Sequence, residues 1–121
     1  MNFEFENSLP IYLQIKETIR ILIISEKLPS GQRLPSVREW ALFFKVNPNT
    51  LQKALSELEK EGLVFTERTS GRFVTENREL IEESKRNYAK DLTKKYFQSM
   101  REIGFDQSDI FCYLEEGEDD L

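Results

Sequence analysis

The stretch "VNPNTLQKALSELEKEGLV", residues 46 to 64, sets Asn-Pro-Asn-Thr ahead of a run whose apolar residues recur at helical spacing. Asn47 is a good helix cap, and Pro48 suits the first helical position because the N–H it lacks would have had no intrahelical partner. Asn49 and Thr50 then fall in the first turn, beside free backbone N–H groups and the positive end of the helix dipole. The chemistry this favours is recognition of an anion. Bond-breaking chemistry lacks its parts. There is no histidine, so Ser-His-Asp triads, Cys-His pairs and the usual zinc sets are absent, and the single Cys112 has no internal disulfide partner. The expectation is a protein that is not an enzyme, with no catalytic residue, metal site or cofactor.

The chain of 121 residues, 39% hydrophobic, suits one domain with an appendage. Its longest apolar stretch, "ILII" at 21 to 24, is far too short to span a bilayer. The opening "MNFEFENSLP" carries acidic residues where a signal peptide needs positive charge, so no membrane partner and a cytoplasmic location are expected. The net charge of −5 argues at first against nucleic acid, but it is unevenly placed. Residues 1–76 hold 10 basic and 10 acidic side chains, whereas residues 77–121 hold 7 and 12, with five of the acids in the final "EEGEDDL". A neutral domain with local basic positions binds phosphates, because affinity follows the number of phosphates contacted and not the charge of the whole chain. The acidic end reads as a solvated terminus.

The elements that must position the candidate residues follow from spacing. Ile11, Ile15, Ile19 and Ile23 recur every four residues and predict a helix over about 10 to 26. "LPSGQRLPS" reads as a loop, and its last residue begins "SVRE", a capping box of Ser36 with Glu39. The second helix then runs to about Lys45, burying Val37, Trp40, Ala41 and Phe44, and Phe43 is also expected to pack in the core. In the third helix Leu51, Ala54, Leu55 and Leu58 form the core stripe, and Gly62 ends it. "LVFTER", "TSG" and "RFVTE" predict a hairpin with Gly71 at the turn. The remainder predicts a long helix over about 78 to 103, stopped by Gly104, and a shorter one capped by Asp106 or Ser108 with Cys112 as a small apolar contact. The fold class is therefore mainly α with a small β-hairpin. It divides into residues 1–76, a winged helix-turn-helix, and residues 77–121, a two-helix dimerisation tail with an acidic end.

In a winged helix-turn-helix the anion is DNA phosphate. Residues 10–74 resemble the DNA-binding domain of GntR-type bacterial transcription regulators, through "PIYLQI", "G-x-RLPS-x-R", "VNPNT", "LxxLExEGL" and a glycine-tipped hairpin ending "FV". The "NPNT" version and a short tail of two helices around "IGFDQSDI" resemble the YtrA-like subfamily. The resemblance implies a repressor and DNA contacts at Ser36 and Arg38, at Asn47, Asn49, Thr50, Gln52 and Lys53, and at Gly71 and Arg72 in the wing, where Arg68 adds a second cation. Asn47 is read chiefly as a cap, and Arg38 as a phosphate contact suited to its planar fork. Many members carry arginines where Pro48 and Gln52 stand; here Asn49 and Gln52 suit adenine, and Lys53 suits phosphate or guanine. The wing is expected at the minor groove.

The long helix would extend about 39 Å at ~1.5 Å per residue, more than so small a domain can cover. Its stripe of Ile81, Tyr88, Leu92, Tyr96, Met100 and Ile103 is therefore expected to form a homodimer interface. A dimer implies an inverted-repeat operator on double-stranded DNA. The tail is too short to enclose a pocket in one chain, so any small-molecule effector would sit at the subunit interface. The alternative is a winged-helix protein-interaction module that binds no specific DNA.

Overall fold

The computed structural model describes residues 3–118, which divide into two compact units, one ending at Lys85 and the other beginning at Arg86. In the first, α1 (Ile11–Ile24), α2 (Val37–Phe44) and α3 (Pro48–Lys60) precede an antiparallel hairpin of β1 (Val64–Glu67) and β2 (Gly71–Val74). Its core is Ile15, Ile19 and Ile23 of α1, Trp40, Ala41 and Phe44 of α2, Leu51, Ala54, Leu55 and Leu58 of α3, and Leu63, Val64 and Val74 around the hairpin. The helical spacing read from the sequence thus delivers one buried stripe per helix. Phe43 departs from expectation: it lies one residue off the α2 stripe and is 54% exposed, next to Leu42 at 75%. Val37 is only half-buried.

Residues 31–34 are loop as expected, outside the two-stranded sheet, but they hydrogen-bond along the free edge of β2. Gly31 N–H donates to Val74 O, Val74 N–H to Gln32 O, and Leu34 N–H to Arg72 O, at 2.8–3.0 Å, and Arg33 bridges Phe73. Pro29, Gly31 and Pro35 punctuate this segment, and its partner strand lies some forty residues away, so local pattern could not reveal it.

α4 (Arg78–Glu102) opens on Asn77, whose Oδ1 accepts from Leu80 N–H at 3.1 Å, and its first turns belong to the winged-helix unit. Ile81, expected in the dimer seam, is instead buried within the winged-helix unit, 5% exposed. The join thus falls inside α4, later than residue 76. In the second unit α5 (Gln107–Glu118) is capped by Asp106, whose Oδ1 accepts from Asp109 N–H at 3.0 Å. α5 buries Ile110 and sets Phe111 edge-on to Phe97 at 6.3 Å. Cys112 is exposed instead of packed, because Ile110 takes the inward position of that turn. Asp119 and Asp120 of the acidic end lie outside the described residues. No described helix is long and apolar enough to cross a membrane.

Candidate nucleic-acid interface

The start of each of the two middle helices is fixed by its own side chains. Ser36 Oγ accepts from Glu39 N–H at 3.1 Å, and Glu39 Oε1 accepts from Ser36 N–H at 3.3 Å, completing the capping box of α2. Asn47 Oδ1 accepts from Asn49 N–H at 2.8 Å, with Pro48 at the first position of α3. These caps spend the Ser36 hydroxyl and the Asn47 carbonyl on the backbone and hold the neighbouring side chains in place. Lys45 makes the turn between the helices in the left-handed region, φ 57°.

Two concavities gather the polar residues. A groove of about 750 Å³ joins the start of α2 to the wing, its lining including the cations Arg33, Arg68 and Arg72, the acids Glu39 and Glu67, and Ser36 and Gly71. A smaller one of about 340 Å³ is lined by Ile11, Tyr12, Asn49, Thr50 and Lys53 at the start of α3. Arg38, Asn47 and Gln52 are exposed and line neither, and Thr50 is half-buried. Gln52 Nε2 donates to Ser56 Oγ at 3.4 Å, along the outer face of α3.

The charges are sorted. Among the described residues every ion pair is made by Lys16 or Arg20 of α1: across to the α3 side Lys16 reaches Glu57 and Glu61 at 3.0 Å each and Arg20 grips Glu61 at 2.6 Å, and within α1 Arg20 meets Glu17 at 3.1 Å. Arg33, Arg38, Lys53, Arg68 and Arg72 take part in none of these pairs. Arg72 Nε is moreover buried without a hydrogen-bond partner. Burial alone would raise the Glu61 pKa, but the hydrogen bonds and charges of Arg20 and Lys16 outweigh it and hold the carboxylate below its ordinary range. Burial would likewise lower Lys16 and Arg20, and their partner glutamates raise both instead.

Two residues that the sequence reading did not single out join this surface. Arg33 lies against the open Cα face of Gly71: a Cβ built there would stand 3.3 Å from Arg33 Nε, on a backbone with φ +108°. Its signal was present in "G-x-RLPS-x-R", whose first arginine it is. Tyr12 lies beneath Lys53, whose Nζ sits 3.8 Å from the ring centroid. The two are far apart in sequence, so only the packing of α1 on α3 brings them together.

Comparison with known proteins agrees with this geometry. The profile of "Bacterial regulatory proteins, gntR family" matches residues 11–74. The chain is 38% identical over 110 residues to the HTH-type transcriptional regulator YhcF of Bacillus subtilis (strain 168), covering 91% of each chain. It is 33% identical over 111 residues to the HTH-type transcriptional repressor YtrA of the same strain, covering 91% of this chain and 85% of that one. Among solved structures, a GntR family transcriptional regulator from Listeria monocytogenes superposes with a TM-score of 0.86 at 35% identity, over 93% of this chain and 98% of that one. AraR(DBD) in complex with operator ORX1 matches with a TM-score of 0.57 at 30% identity, over 62% of this chain and 99% of that one.

Proposed function

The chain belongs to the gntR family of bacterial regulatory proteins, and on that premise we propose that it is a repressor that binds a specific double-stranded operator as a homodimer in the cytoplasm. The observation that carries this reading is the sorting of charge. Glu17, Glu57 and Glu61 are engaged by Lys16 and Arg20 away from this surface, whereas the cations at the start of α2, on α3 and in the wing stay out of ion pairs and are left for phosphate, outnumbering Glu39 and Glu67 in the groove they share. The exposed Asn49 and Gln52 on α3 supply amide groups of the kind that pair with adenine edges. A relative named as a repressor and a structural neighbour held on its operator support the same reading.

The homodimer draws on the second unit. Leu92 and Tyr96 of α4 are 53% and 38% exposed, Ile103 in the turn just after it is 69% exposed, and Phe111 and Leu114 of α5 are nearly half exposed. Apolar surface this dense on so short a segment marks a contact surface. A two-fold dimer presents two copies of α3 to one face of the duplex, so the operator is an inverted repeat with half-site centres about one helical turn, ~10 base pairs, apart. Selection of bound fragments from the source genome tests the whole reading. A two-fold symmetric motif is expected, and retention of no duplex sequence above background overturns it.

The protein-docking alternative draws on Leu42 and Phe43, the exposed apolar pair on α2. It requires duplex binding to be absent or indifferent to sequence, an outcome the same selection reads directly.

A further inference from the structure

The seam between α1 and α3 is a ladder with a constant offset. Tyr12 meets Lys53, Lys16 meets Glu57 and Arg20 meets Glu61, one rung per helical turn with partners always 41 residues apart. The lower two rungs are ion pairs in which α1 supplies the cation and α3, through Glu57 and its C-cap residue Glu61, the acid. The top rung inverts this. Here α3 supplies the cation, and α1 answers with an aromatic ring in place of a carboxylate. An acid at position 12 would have held the ammonium equally well, but it would have cancelled its charge. The ring quadrupole attracts the ammonium from one side and leaves its net charge intact. The Lys53 Nζ so held stands at the concavity that also receives Asn49 and Thr50 from the first turn of α3.

We propose that Tyr12 is a positioning residue for DNA binding: its ring presents the uncancelled Lys53 ammonium to a backbone phosphate seated beside the start of α3. A free lysine side chain loses rotamer freedom when it contacts phosphate, and a side chain already held over a ring loses less. Tyr12 itself makes no contact with DNA in this arrangement; it acts through Lys53. The inference rests on the DNA-binding reading and adds to it the residue that orders one of its cations.

The test uses the full chain and a duplex recovered by selection from a random-sequence pool. Affinity is compared for wild type, Tyr12→Phe, and a protein carrying pentafluorophenylalanine at position 12, which keeps the shape of the ring and reverses its quadrupole. Each position-12 variant is also made with Lys53→Ala. Tyr12→Phe is expected to bind as wild type, and the fluorinated ring to weaken binding about three- to tenfold, the scale of a cation–π contact plus side-chain ordering. In the Lys53→Ala background the fluorinated ring should cause no further loss. Equal losses in both backgrounds would assign Tyr12 a purely structural role, and a loss in Tyr12→Phe would assign the contact to its hydroxyl; either overturns the proposal, as does full affinity with the fluorinated ring. If wild type itself selects no duplex, the DNA-binding reading falls and this inference with it, a result distinguishable from the others because it precedes any substitution.

Discussion

At the scale of single residues, exposure and the absence of an ion pair separate binding from stability. Arg38 is exposed, takes part in no ion pair among the described residues, and lies outside the buried stripe of α2. Arg38→Ala should therefore weaken binding to all duplexes, flatten the dependence of log affinity on log salt by about one, and leave the melting temperature unchanged. Titrations at several salt concentrations check this, and an unchanged slope would remove Arg38 from the phosphate contacts. Gly71 behaves oppositely. Its φ of +108° and the Arg33 guanidinium against it penalise any side chain, so Gly71→Ala should cost on the order of 1–3 kcal/mol of stability, measurable by denaturant unfolding. The caps Ser36 and Asn47 and the turn at Gly71 were legible in the sequence because each is a local device, written within three or four residues. Arg33 on Gly71 and Lys53 on Tyr12 were not, since nothing local ties together residues about forty apart.

At the scale of elements, the α1–α3 seam makes the fold sensitive to acid. Glu61 titrates below its ordinary range in the folded protein, so its pairing with Arg20 and Lys16 contributes stability that is present above the unfolded pKa. That contribution is lost as pH falls through the lowered folded value. Glu61→Gln should consequently melt below wild type at neutral pH, with the gap closing in acid once wild-type Glu61 is itself protonated. Melting curves across that range would refute the assignment if the gap stayed constant. Because Glu61 is partly exposed, solvent screens the pairing and the gap should be modest. The helices themselves were readable from four-residue spacing, whereas the pairing of the loop at residues 31–34 with β2 was not. A loop with two prolines and a glycine nearby gains these backbone bonds only because β2 offers it an edge.

At the scale of the whole molecule, the continuous α4 hides the boundary that matters for truncation. The helical pattern runs on through residue 85 without a break, so no local cue marks Ile81 as part of the winged-helix core. A chain ending at Glu76 loses Ile81, a deletion comparable to an Ile→Ala change of about 2–5 kcal/mol, and should be destabilised. A chain ending at Lys85 keeps it and should melt near the intact protein, yet bind the operator orders of magnitude more weakly if dimerisation links two half-sites. Equal melting of the two truncations would contradict the burial of Ile81. In the intact chain Leu92→Glu should place a carboxylate from each subunit in one apolar seam, at a cost of several kcal/mol, and sedimentation should then report monomers. A Leu92→Glu protein that remains dimeric would show that the seam lies elsewhere.

The exposed Cys112 on α5 has a practical corollary. It is the single cysteine of the sequence, so every copy of the chain offers one thiol, outside the winged-helix unit, for a nitroxide or a fluorophore. A two-fold assembly labelled there carries two identical reporters and yields a single inter-label distance by pulsed electron resonance. Native protein can thus serve as its own molecular ruler, read with and without the duplex and with no engineered position anywhere in the chain.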